Sequence, residues 1–233
     1  MKNHLLLLLV LFLAKPVFSQ KIITKTLPLS AGQAVHLNLK FGDSIDVQYW
    51  DKSEVSMRIA VTINNGKLND ALEVSTESTA DAVSLTTDFD YERIKQGRSE
   101  DCPGNRQSTW RTDKDGTSHS ICSTINYTVF LPRKAPLRVE TISGNIHIKG
   151  ATSAVSAKSI SGFVDMSWPG SKGANVAMKT ITGEVYSDLT IDFKGKRPKN
   201  PLVGYTLEGT LLSGGPQVRL ESISNNIYLR KEK

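Results

Sequence analysis

"TISGNI" (141–146) returns as "SISGFV" (159–164), "TITGEV" (180–185) and "SISNNI" (222–227). The residues around this phrase repeat as well. When the copies are set on Gly144, Gly162, Gly183 and Asn225, Leu137, Val155, Val176 and Val218 lie seven before, and Val139, Ala157, Met178 and Leu220 five before. Ile142, Ile160, Ile181 and Ile223 lie two before, and Ile146, Val164, Val185 and Ile227 two after. Agreement at so many apolar positions is an internal repeat. The four reference residues are 18, 21 and 42 positions apart, so the last interval has room for an extra turn or an insertion. An all-strand period near twenty predicts successive rungs of a single-stranded β-solenoid, each burying its inward residues against its neighbours.

The apolar alternation changes phase between the residue five before and the residue two before the glycine, which calls for a corner. Glycine reaches positive φ at no Cβ cost and asparagine comes next, so positive φ is expected at Gly144, Gly162, Gly183 and Asn225. Thr141, Ser159, Thr180 and Ser222 sit three before the corner, and Ser143, Ser161, Thr182 and Ser224 one before it. Hydroxyls recurring at every rung serve corner backbone groups, whereas a nucleophile needs one serine beside one base.

Upstream, Val35, Leu37 and Leu39, then Ile45, Val47 and Tyr49, then Val55 to Ile63, alternate with polar residues between Gly, Asp and Ser punctuation. These are half-buried strands, with shorter ones at 72–74, 83–85 and 125–131. No stretch has a convincing helical period. The expected fold is therefore all-β: an N-terminal antiparallel strand region to about 131, then repeat rungs over 137–230, in one domain from 20 to 233.

The chain opens "MKNHLLLLLVLFLAKPVFSQ", in which Lys2 precedes an apolar run from Leu5 to Ala14. The run is too short to span a bilayer and reads as a secretory signal, cleaved after Ser19. No later apolar run is long enough to cross a membrane. The formal charge of +6 falls to +4 once Lys2 and Lys15 are removed. No dense basic run tracks a phosphate backbone; "KGKRPKN" (194–200) reads as a solvated loop, so nucleic acid is not an expected partner. Cys102 and Cys122 flank a polar stretch within the excursion 88–123, and in an oxidising compartment they pair. Two cysteines with His119 nearby lack zinc-site spacing, so neither a metal nor another cofactor is expected.

"SGGPQVRLESISNNIYLR" (213–230) and the recurring T-x-S-G-x-I phrase resemble the bacterial "putative adhesin" domain of unknown function, found in exported envelope proteins. Asn225 departs from that family's usual glycine. The resemblance covers roughly 27–229 and implies a β-solenoid in the cell envelope; it carries over no catalytic residue.

Three after each corner, His147, Asp165, Tyr186 and Tyr228 are expected to face outward as one ladder, able to stack on a sugar or meet a protein. Four before it, Glu140, Lys158, Lys179 and Glu221 can support strand register. Asp165 with Glu184, or His147 with Asp165, are the pairs an enzyme could use. Tyr49 reads as core and Trp110 as exposed, with Trp50 and Trp168 open. The expected function is a non-enzymatic, adhesin-like binding or structural module, periplasmic or on the cell surface. Its partner would be an envelope protein or a surface glycan. A glycan lyase or hydrolase and an envelope signalling component are the alternatives. Arg230, Lys231 and Lys233 on a terminal rung would oppose edge-to-edge stacking and favour a monomer.

Overall fold

The structure, a computed structural model, describes residues 20–102, 108–116, 118–195 and 204–232. The signal segment 1–19 and the side chain of Trp110 lie outside the described residues. The N-terminal strands are β1 (Lys21–Pro28), β2 (Ala34–Leu39), β3 (Ser44–Trp50), β4 (Glu54–Ile63), β5 (Leu72–Ser78) and β6 (Ala82–Phe89). A single turn α1 (Tyr91–Ile94) follows, then β7 (Ser108–Thr112), β8 (Ser118–Ile121) and β9 (Ser123–Pro132). The repeat supplies β10 (Leu137–Thr141), β11 (Asn145–Lys149), β12 (Val155–Ser159), β13 (Val164–Trp168), β14 (Ala174–Thr180) and β15 (Val185–Ser187). The chain ends with β16 (Asp192–Phe193), β17 (Leu207–Leu211), β18 (Gln217–Ser222) and β19 (Ile227–Lys231).

These form two mixed sheets. The first runs β1-β4-β9-β3-β11-β13-β19-β15 and the second β16-β17-β14-β18-β12-β10-β2-β6-β5. Neither closes on itself. Parallel pairing fills the middle of each, while β4 lies antiparallel to both β1 and β9, β5 to β6, and β17 to β14 and β16. β7 and β8 make a separate hairpin. The helix that the sequence did not suggest is one turn, held by Asp90, whose carboxylate accepts from the backbone N–H groups of Glu92 and Arg93.

Each copy of the repeat places one strand in each sheet, and like positions pair in register: Leu137 with Val155, Val155 with Val218, Val176 with Val218. The apolar positions on both sides of each corner thus meet in one core, and Val139, Ile146, Val164, Val218, Leu220, Ile227 and Leu229 are all fully buried. An aliphatic side chain so buried contributes about 1.5–3 kcal/mol.

Three expectations are corrected. The rungs do not stack in chain order: the Asn225 copy inserts between the Gly162 and Gly183 copies, because β17 turns back against the outer edge of β14 before β18 enters. The C-terminal strand is therefore internal, and the case for a monomer from its basic tail falls away. Secondly, the N-terminal region is not all antiparallel. β2 and β3 pair parallel to β10 and β11, Val35 beside Leu137 and Ile45 beside Ile146, and form a further rung without the hydroxyl-glycine phrase. Thirdly, none of Gly144, Gly162, Gly183 and Asn225 has positive φ.

The glycines are needed for a different reason. A Cβ on Gly162 would stand 2.0 Å from the carbonyl oxygen of Gly144, and one on Gly183 2.1 Å from that of Asn225. The requirement is imposed by the backbone of the adjacent rung. The phase change also falls later than expected, between Thr141 and Ile146, so Ile142, Ile160 and Ile181 stand about 40% exposed at the corners.

The hydroxyls three before the corner behave as read. Thr141, Ser159, Thr180 and Ser222 are buried and accept the N–H of residues 144, 162, 183 and 225 at 3.2, 2.8, 3.1 and 3.0 Å. Ser159, Ser222 and Thr180 donate in turn to the carbonyls of Gly144, Gly162 and Asn225 at 2.8, 2.9 and 2.8 Å. Each such hydroxyl closes its own corner and ties it to the next rung. Of those one before the corner, Ser143 reaches the carbonyl of Gly42 and Thr182 that of Ile223.

The Cys102–Cys122 disulfide is formed. Beside it Asn64, fully buried at φ +46°, donates to the Ser120 carbonyl and accepts the Cys122 N–H. Tyr49 is core, Trp168 is fully buried with its indole N–H on the Lys172 carbonyl, and Trp50 stacks on Phe130.

Candidate binding face

The outward surface of the first sheet carries the ladder. Because side chains alternate across a strand, Asp46, His147, Asp165, Tyr228 and Tyr186 share one face, and their strands pair them in that order. The inserted C-terminal rung brings the two tyrosines together. Their rings stack at 5.3 Å and 10°.

Phe163, which the sequence reading did not single out, links the row. Its ring meets His147 edge-on at 5.0 Å and Tyr228 edge-on at 6.1 Å. Arg230, two residues beyond Tyr228 and on the same face, lies 4.7 Å over that ring and donates from Nε to both Asp165 oxygens at 2.9 and 3.1 Å. This pairing raises the Arg230 guanidinium above its already high value. Asn226 Nδ2 donates to the Tyr228 hydroxyl at 3.1 Å, and the Tyr186 hydroxyl donates to Glu184. The adjacent Glu184 carboxylate raises the Tyr186 phenol above its ordinary value. The available signal for Phe163 and Arg230 was parity: both stand two residues from an outward position, Arg230 on β19 and Phe163 just before β13.

The face offers rings, a guanidinium, amides and carboxylates on one plane: hydrogen-bonding groups around an apolar strip. For acid-base chemistry the same geometry is unfavourable. Asp165 spends both oxygens on Arg230, Glu184 is held by Tyr186, and β19 separates the strand of Asp165 from that following Glu184. His147 neighbours Asp165 in register, but the ring contact it makes is with Phe163.

The outer face of the second sheet is charged instead. Its row Glu140, Lys158, Glu221, Lys179 alternates in sign, and Arg138 and Arg219 bind Glu140 and Glu221. Among the described residues, no cluster of three or more His, Cys, Asp or Glu could hold a metal, and no helix is long and apolar enough to cross a membrane.

No family model matches the chain. No curated protein matches it either. A crystal structure of a "putative cell adhesion protein" from Clostridium sporogenes is similar over 92% of this chain and 100% of its own, with a TM-score of 0.53 at 12% identity. That likeness shows a shared fold. A "putative adhesin" from Bacteroides fragilis aligns over 92% of this chain and 98% of its own at 10% identity, with a TM-score of 0.24. Another from Parabacteroides merdae aligns over 91% and 97% at 8% identity, with a TM-score of 0.20. Those two carry no structural argument.

Proposed function

We propose that the protein is an exported, adhesin-like binding module of the cell envelope, without enzymatic activity. Its ligand, a surface glycan or an envelope protein, is bound on the face carrying His147, Asp165, Tyr228 and Tyr186. One observation carries the reading: an unbroken set of ring contacts runs from His147 through Phe163 and Tyr228 to Tyr186 on a solvent-facing sheet surface. Rings in such a strip supply apolar area at little entropic cost, and the polar groups around them supply orientation. The parallel stack of corner-linked rungs supports a β-solenoid-like reading of the middle of the molecule. The disulfide fits an oxidising compartment, periplasmic or extracellular, and the signal-like opening segment fits export.

The test is a glycan array and an envelope pull-down with residues 20–233, comparing wild type with a Tyr186→Ala/Tyr228→Ala variant. Specific binding that disappears in the variant, with the far-ultraviolet circular dichroism unchanged, is the expected result. Binding that is equal in both proteins refutes the face, and no specific binding by either refutes the module.

A further inference from the structure

At the Gly183 rung the two sheets end differently. In the second sheet the outer edge of β14 is taken by β17, which pairs antiparallel with it from Ala174 to Met178 and carries β16 beyond. In the first sheet, among the described residues, β15 is the last strand. Ile227 donates its N–H to the Glu184 carbonyl, and the alternation of a parallel ladder then turns the main-chain groups of Val185 and Ser187 to the open side.

The side chains at this edge are unfinished in the same sense. Ile45, Ile146, Val164 and Ile227 form a fully buried row whose last member, Val185, is only half-buried. On the outer face the stack of rings, among the described residues, stops at Tyr186, which is 47% exposed. Glu184 and Asp188 flank it two residues away on either side; the Tyr186 hydroxyl and the Lys231 N–H donate to them, and Arg230, whose own hydrogen bonds go to Asp165, acts on Asp188 only through space.

We propose that β15 is a docking edge for an extended segment of a partner protein, which adds to the first sheet as one more strand. The inference rests on the reading of this face as a binding surface and adds the class of partner. The segment places an aliphatic side chain beside Val185, an aromatic one against the open face of Tyr186, and a basic one opposite each of Glu184 and Asp188. Charge selects against a second copy of this chain. Two β15 edges meeting antiparallel about Tyr186 would set Glu184 of one copy against Asp188 of the other, and like charges directly opposed destabilise a strand pair. The same pair attracts a strand carrying Lys or Arg at those places.

The probe is the peptide Val-Lys-Val-Tyr-Val-Lys-Val, which reads alike in either direction. It is titrated into residues 20–233 by calorimetry and by amide chemical shifts. Two controls accompany it: the peptide with glutamates for lysines, and the lysine peptide N-methylated at alternate residues, in both alternations. Binding with shifts centred on 184–188 is expected. It should weaken at least tenfold with the glutamate peptide and with one of the two N-methylated peptides, and several-fold with Tyr186→Ala. Equal binding of all four peptides, binding of none, or shifts elsewhere would overturn the inference. Concentration-dependent dimerisation by light scattering, with shifts at the same residues, would overturn it in favour of a second copy. Glycan binding lost in Tyr186→Ala/Tyr228→Ala without peptide binding sinks the strand-docking inference and leaves the binding face standing. Failure of both sinks both.

Discussion

Two rows of the same repeat behave oppositely. Three before each corner the chain places Thr, Ser, Thr and Ser; three after it, His, Asp, Tyr and Tyr. The first row is buried, accepts the corner N–H in every rung and, in three of the four, donates to the neighbouring corner's carbonyl, while the second lies outside and makes different contacts at each. A position that repeats chemistry meets a need every rung has. One that varies is free of that need and available for recognition. The comparison predicts large stability effects and no binding effect at the corners, and the reverse on the ladder.

The corner glycines should show the largest effect. Gly162→Ala forces a Cβ against the Gly144 carbonyl at 2.0 Å, and backbone cannot step aside as a side chain can. We expect a loss of about 3 kcal/mol or more by urea denaturation, or failure to fold. Gly144→Ala meets side chains alone, the end of Ile45 at 3.1 Å and the Thr141 hydroxyl oxygen at 3.2 Å, which can give by a few tenths, and should cost less, about 1 kcal/mol. Equal losses would mean that the constraint lies in the local turn rather than in the neighbouring rung.

That contrast also shows what was legible in the sequence. Alternation of Leu137, Val139, Ile146 and Ile148 revealed strands, and the recurrent hydroxyls revealed a buried structural role, because both depend on local period. The cause of the glycines was not legible, since it sits in the corner of the neighbouring rung, 18 residues from Gly162 and 42 from Gly183. Stack order was hidden for a related reason: nothing near Asn225 states that its rung enters between two earlier ones. The β2–β3 rung escaped because Leu39 stands in place of the hydroxyl and its corner is one residue longer. Its apolar spacing, Val35 and Leu37 before and Ile45 and Val47 after, was the usable sign. On the face, Tyr186 and Tyr228 were legible as outward, but their mutual stacking follows from the insertion.

Removing a corner hydroxyl comes next in size. Ser159→Ala leaves the Gly162 N–H and the Gly144 carbonyl without partners in a dry site, at a cost of about 1–3 kcal/mol. Ser161→Ala, exposed and one residue before the same corner, should change denaturation by under about 0.5 kcal/mol. If the two variants were alike, the buried row would not be the fastening it is taken for.

Tyrosines extend the contrast from inside to outside. Tyr127 is fully buried, donating to the Phe41 carbonyl at 2.7 Å, and burial drives its phenol well above the ordinary 10.0. The folded state disfavours the phenolate, so this contribution is complete below about pH 10 and is lost as the pH rises beyond it. Tyr127→Phe should flatten the fall in melting temperature above pH 10. Tyr186→Ala, by comparison, should lower stability slightly through its lost ring pair and flatten that profile less than Tyr127→Phe, because solvent screens the Glu184 carboxylate that raises its phenol.

The smallest effect belongs to the charged row on the other sheet, and it tests the stack order directly. In chain order the four residues read Glu140, Lys158, Lys179, Glu221, which would set two lysines side by side. In the observed order Glu221 lies between Lys158 and Lys179 and the signs alternate. Glu221→Lys therefore makes three adjacent lysines and strips Arg219 of its carboxylate. On exposed strands the cost is about 0.2–1 kcal/mol, shrinking as salt is raised. Glu140→Lys sits at the end of the row beside Asn38 and gains a single lysine neighbour, so it should cost less. Chain-order stacking would give Glu221 a single lysine neighbour as well, and the two variants would then match. A larger, salt-sensitive loss at 221 than at 140 is the signature of a C-terminal rung inserted inside the stack.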